Sequence, residues 1–202
     1  MDTERNAEFL EEIKKHLNPD RLYHSINVAD EAKKLAQHYG ADEKKAFTAG
    51  LLHDIMKNKS QTELLAFFSE QNVPLTATER ISPKTWHALA GTVYCERVLG
   101  VTDKEILTAI RYHTTGRAGM TLLEKVIFIA DFISADRDYD GVERMREKAY
   151  ISLEYAMEEG LQFTIEDLAH NGFAIHEDSV AAYNELIMNR KDDTNDTERI
   201  AQ

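Results

Sequence analysis

Apolar residues along the chain recur at three- and four-residue spacing, the mark of amphipathic helices. Val28, Ala32, Leu35, Ala36 and Tyr39 form one such stripe, and Gly40 closes it where a left-handed residue commonly ends a helix. A second stripe runs from about Asp42 through Ala46, Ala49, Gly50 and Leu52 to His53. Further helices are predicted over about residues 61–72, 84–99, 103–113, 122–134, 142–168 and 178–190. Thr102-Asp103 ahead of Lys104 is a start signal, and Thr121 with Glu124 has capping-box spacing. Pro19, Pro74 and Pro83 sit where these patterns begin or break. No segment sustains the period-two alternation of a half-buried strand. The pattern predicts an all-α helical bundle: one domain over residues 18–189, preceded over 1–17 by an added amphipathic helix. The polar tail 190–202 is expected to fray, because it has few apolar residues to bury.

Composition adds limits. With 202 residues, 43% hydrophobic and 30% charged, the chain can bury a sizeable core without disulfides or structural metal. Any metal is therefore expected to serve function. The net charge of −12 disfavours broad binding to nucleic acid, and no basic stripe with interleaved aromatics appears. A local group of metal, Lys and Arg could still hold a small anion. The single cysteine, Cys95, excludes an intrachain disulfide and lies in an apolar helical stretch, where a buried small residue is expected. The acidic start Met1-Asp2-Thr3-Glu4-Arg5 lacks the apolar region of a secretory signal, and no apolar run approaches the ~20 residues that span a bilayer. A cytoplasmic setting without a membrane partner is expected.

The candidate chemistry lies in histidine and aspartate. Asp131 interrupts the apolar helix Val126-Ile127-Phe128-Ile129-Ala130-Asp131-Phe132-Ile133. An isolated carboxylate in such a place costs several kcal/mol unless it is paired or bound to a cation, and the competing reading is a hydrogen bond to a neighbouring helix. His53 is followed at once by Asp54. Adjacent helical residues point about 100° apart, so the two share an ion only with help from distant segments. His24, His87, His113 and Asp131 supply candidates, in the order H…HD…H…H…D. His16, His38 and His170 carry no such expectation, and Trp86 reads as a packing residue.

That order resembles the HD-domain phosphohydrolase superfamily, an all-α fold with metal at its core. Arg21-Leu-Tyr-His-Ser25, Ala49-Gly-Leu-Leu-His-Asp-Ile-Met-Lys57, His113-Thr-Thr-Gly-Arg117 and Leu123-Glu-Lys-Val-Ile-Phe-Ile-Ala-Asp131 resemble its YqeK-type family of symmetrical diadenosine tetraphosphate hydrolases. The resemblance implies hydrolysis of diadenosine tetraphosphate to two ADP by metal-activated water. It implies metal ligation by His24, His53, Asp54 and Asp131, with His87 and His113 facing substrate phosphates or a second metal. Imidazole and carboxylate without thiolate suit iron, manganese, cobalt, nickel or zinc; the resemblance favours iron. Met56 departs from the small or β-branched residue usual beside the dyad.

Helical spacing brings Lys57 near the face of His53 and Asp54. Lys57, His87, His113 and Asp54 are thus the expected catalytic residues, His87 or His113 serving as general acid. Arg21, His24, Thr114 and Arg137 are expected at the substrate, with Arg117 a weaker phosphate clamp. The His113-Thr114-Thr115-Gly116 turn could cradle phosphate, or it could simply stop a helix. By resemblance, Phe173 and His176 lie in a loop that closes over the nucleoside; a turn at Gly172 is the plain alternative. The competing functions are another nucleotide phosphohydrolase of the same fold, acting on nucleoside monophosphates or alarmones, and a non-catalytic nucleotide sensor. A homodimer is compatible with the amphipathic ends.

Overall fold

The computed structural model describes residues 3–200, with side chains over residues 5–190. The helices in chain order are α1 (Thr3–His16), α2 (Pro19–Tyr39), α3 (Glu43–Leu52), α4 (Gln61–Glu70), α5 (Ala77–Ile81), α6 (Trp86–Arg97), α7 (Lys104–Tyr112), α8 (Leu122–Ile133), α9 (Val142–Ile151), α10 (Leu153–His170) and α11 (Glu177–Ile200). No strand occurs among the described residues, so the all-α expectation holds.

Local chemistry explains the boundaries. Gly40 ends α2 at φ 76°, and Asp103 caps α7 by accepting from the Glu105 amide. Thr121 and Glu124 form a complete capping box on α8. Four elements differ from expectation. The predicted helix over 142–168 is two helices, because Ser152 is extended (φ −157°, ψ 129°) and its hydroxyl caps α10 through the Tyr155 amide. The short helix α5 escaped the periodicity because five residues make little more than one turn; its capping box, Thr76 with Glu79, was its local signal. The helix expected from residue 84 starts at Trp86, after a 3-10 turn at Pro83–Thr85. Helix α11 runs to Ile200, past its predicted end at 190 and through most of the tail expected to fray; side chains beyond residue 190 lie outside the described residues.

Helix α8 runs through the centre, with Val126 to Ala130 fully buried. Helices α2, α3, α7 and α10 pack around it. Helices α2 and α3 cross with backbone in contact: a Cβ on Gly50 would lie 2.8 Å from Ala29 Cα. A glycine is therefore required there, despite its cost of about 1 kcal/mol inside a helix. Helix α1 joins the same core through Phe9, Ile13 and Leu17, and Thr48 Oγ1 on α3 donates to Asn6 Oδ1 at 2.9 Å. Cys95 is buried, and burial pushes its thiol pKa up. No helix among the described residues is long and apolar enough to cross a membrane.

Candidate metal centre

Helix ends present the histidines. His53 and His113 each occupy the C-cap position, of α3 and α7 respectively. His53 Nδ1 contacts the Gly50 carbonyl at 2.7 Å, and His113 Nδ1 contacts the Ile110 carbonyl at 2.8 Å. A carbonyl only accepts, so each Nδ1 carries a proton and each Nε2 is the ring nitrogen left to face the site. The same bonds satisfy carbonyls that the helix ends leave unpaired. His24 reaches this state differently: its Nδ1 donates to Asp136 Oδ2 at 2.7 Å. Asp136 is a functional candidate that sequence reasoning missed; its only local signal is the carboxylate directly before Arg137.

These Nε2 atoms converge. His24 Nε2 lies 3.0 Å from Asp131 Oδ1, and His53 Nε2 lies 4.0 Å from the same oxygen. His53 Nε2 is 3.4 Å from Asp54 Oδ2, while His87 and His113 Nε2 are 3.2 and 3.5 Å from Asp54 Oδ1. Two groups thus have ligand-type atoms within 4.8 Å of one another: His24, His53 and Asp131, and His53, Asp54 and His113. His53 belongs to both.

The donor set fits a cation. His53 Nε2 and Asp54 Oδ1 are buried atoms without a hydrogen-bond partner in the protein. Buried polar atoms left without a partner cost free energy unless a cation or its water satisfies them. Nitrogen and oxygen donors without sulfur match a borderline transition metal. Arg21 Nη1 also reaches Asp54 Oδ2, at 3.0 Å.

Neighbouring groups keep both aspartates ionised. Burial alone would raise the Asp54 carboxyl, but His53, His113 and His87 outweigh it and hold the pKa well below the usual range. Burial raises Asp131 too, and His24, Arg137 and His53 together pull it well down. Burial pushes His87 down to about 4 despite the opposing pull of Asp54. Asp131 is less enclosed than its sequence setting suggested: its side chain is 19% exposed, against 2% for Asp54. The fully sequestered carboxylate is the one in the His-Asp pair.

The expected helper residues divide. Lys57 does come close, with Nζ 3.1 Å from His87 Nε2 and 3.8 Å from Asp54 Oδ1. It arrives through the turn after α3, closed by its amide on the Asp54 carbonyl at 2.8 Å, and not along a helical face. Thr114 Oγ1 lies 3.0 Å from His113 Nε2 and 3.3 Å from His87 Nε2. Arg137 grips Asp131, through its carbonyl at 2.7 Å and through Oδ1. Arg117 is engaged elsewhere, bonded to the fully buried Glu124 by Nε at 2.7 Å and Nη2 at 2.8 Å. Phe173 is exposed beneath the Lys84 ammonium, which lies 4.3 Å from the ring centre. His176 is buried with its Nε2 unpartnered. Neither hydrogen-bonds to the histidine cluster, although Ser179 Oγ ties the start of α11 to the Thr115 carbonyl at 2.8 Å.

A helical bundle with histidines and aspartates converging in its core defines a metal-site class of protein. The sequence profile of the HD domain matches residues 21–136, and the chain belongs to that family. It is 37% identical over 175 residues to the "Bis(5'-nucleosyl)-tetraphosphatase, symmetrical" of Bacillus subtilis, covering 87% of this chain and 94% of that one. It is 37% identical over 186 residues to the protein of the same name from Halalkalibacterium halodurans, covering 90% and 97%. A crystal structure from Clostridium acetobutylicum, described as a predicted HD superfamily hydrolase involved in NAD metabolism, superposes with a TM-score of 0.87. It shares 33% identity and covers 91% of this chain and 97% of that one.

Proposed function

We propose that the chain is a metal-dependent symmetrical dinucleoside tetraphosphatase that cleaves diadenosine tetraphosphate into two ADP. One observation carries this: near end-to-end likeness to two symmetrical bis(5'-nucleosyl)-tetraphosphatases, in a chain whose core gathers the acceptors a metal would need. His24, His53, Asp54 and Asp131 would hold the metal, with His113 close enough to join through Asp54. Iron is favoured by the family resemblance, and manganese, cobalt, nickel and zinc suit the same donors. When bound, such a metal lowers the pKa of water and polarises a phosphoryl oxygen.

The chain's own residues do the rest. Asp136 fixes the ring of His24, and the Gly50 and Ile110 carbonyls fix His53 and His113, so each Nε2 keeps one direction. Lys57 Nζ donates to His87 Nε2, and Thr114 Oγ1 stands beside both histidines. This group would hold a proton where the departing phosphate oxygen needs one. Arg21 and Arg137, already on the two aspartates, would steer the anionic chain toward them. Phe173 and His176 would serve substrate only if their loop draws in over the histidines. The expected setting is the cytoplasm, with nucleotide rather than nucleic acid as partner, as a monomer or a homodimer.

The test incubates metal-replete protein with diadenosine tetraphosphate, ADP, AMP and guanosine tetraphosphate, and separates the products. ADP alone is expected from the first substrate. ATP plus AMP would overturn symmetrical cleavage, and tight binding without turnover would favour a sensor. Asp54→Ala is expected to lose both metal and turnover; full metal content at the normal rate would refute the ligand assignment.

A further inference from the structure

A cavity of about 640 Å3 opens beside the metal centre, with Asp131 and Arg137 at its inner end and α9 and α10 as walls. That volume lies within the roughly 300–1,000 Å3 of small-molecule sites. Phe132 lines it next to Asp131, and its ring lies against α10 at Gly160, where a Cβ would sit 3.4 Å away. Farther out, Tyr155 and Phe163 line the same concavity while 55% and 65% exposed. Large aromatics left uncovered in a groove mark a place for a flat partner.

The charges of the groove say which part of a nucleotide fits. Arg137 is committed to Asp131, and Arg144 and Lys148 are both committed to Glu159. Asp140 and Glu166 also line the groove without an ion pair among the described residues, and Glu166 Oε1 accepts from Gln162 Nε2 at 2.8 Å, which leaves its second oxygen for a ligand. Surplus carboxylate repels a polyphosphate there, yet it accepts hydrogen bonds from hydroxyls and amino groups. Phosphate therefore belongs at the Arg137 end and a neutral, planar, hydroxylated group at the outer end. A second copy of the chain is a poorer occupant, because a stable partner needs a broad face of about 800 Å2 per side and these rings line a concavity.

We propose that this groove is the subsite for one nucleoside of the substrate, its base stacked on one of the two exposed rings, Tyr155 or Phe163, and its sugar hydroxyls turned to Asp140 and Glu166. The assignment rests on the nucleotide chemistry proposed above but concerns a different set of residues. Stacking on an aromatic side chain changes base binding by about ten- to a hundredfold.

The test uses the full, metal-replete chain with Phe163→Ala and Tyr155→Ala, which replace exposed rings and leave the unfolding midpoint in place. Calorimetric titration with ADP and with pyrophosphate, which lacks the nucleoside, separates the two ends of the groove. At least tenfold weaker ADP binding with unchanged pyrophosphate binding is expected in at least one variant, together with a higher KM for diadenosine tetraphosphate at constant kcat. Unchanged ADP binding in both variants would overturn the subsite, as would equal losses for both ligands. A change in molecular mass in solution would mark an interface between copies instead, and would also overturn it. If the wild type makes ATP and AMP, or cleaves nothing, while a variant still loses ADP selectively, symmetrical hydrolysis fails and the subsite stands.

Discussion

Where α3 crosses α2, backbone meets backbone at Gly50 and Ala29, and the nearby atoms His53 Nε2 and Asp54 Oδ1 have no protein partner. Along the outer face of α10 the reverse holds. Glu159 takes Arg144 and Lys148, Glu158 takes Arg190, and the uncovered groups are the rings of Tyr155 and Phe163. The first region is closely packed with its polar atoms unsatisfied; the second is open with many of its charges paired. Buried acceptors without donors call for a cation. Exposed rings beside paired charges call for a planar ligand.

The largest effect is expected at the crossing. Gly50→Val puts side-chain atoms where Ala29 backbone already lies, so the helices must part. Overpacking of this kind costs about 1–3 kcal/mol. It also shifts the carbonyl that orients His53, so thermal unfolding should come earlier and metal content should fall well below stoichiometric. Unchanged metal content would show that the site does not depend on this close approach.

A smaller effect is expected one step from the ligands. Asp136→Asn keeps the size of the side chain and weakens the acceptor for His24 Nδ1. Metal affinity should fall by about 10- to 100-fold while stability changes little. Competition with a chelator measures it, and an affinity within twofold of wild type would remove Asp136 from the site.

The smallest effect belongs to the groove. Glu159→Gln removes the partner of two exposed cations, and such pairs are worth about 1 kcal/mol or less. Burial raises the Glu159 carboxyl, but Lys148 and Arg144 outweigh it and lower its pKa from 4.5. Its contribution is therefore complete above about 4.5 and disappears as pH falls through the lower folded value. Wild type and variant should differ slightly at pH 7 and converge in acid, which urea denaturation at both pH values will read. A gap that widens in acid would contradict that sign.

Sequence alone determined the all-helical architecture, because a 3.6-residue period and local caps such as Gly40, Asp103 and Thr121 act within one or two turns. It also singled out His24, His53, Asp54, His87, His113 and Asp131, since ligand-type residues in apolar settings are costly without a function. Only the tertiary structure decided how they meet. It made Asp54 the sequestered carboxylate and Asp131 a partly open one, took Arg117 to Glu124, and set Asp136 behind His24. It brought Tyr155 and Phe163 to one groove with Asp131. These outcomes depend on distances between segments tens of residues apart, and those distances are set by close approaches such as Gly50 on Ala29, which no local pattern encodes.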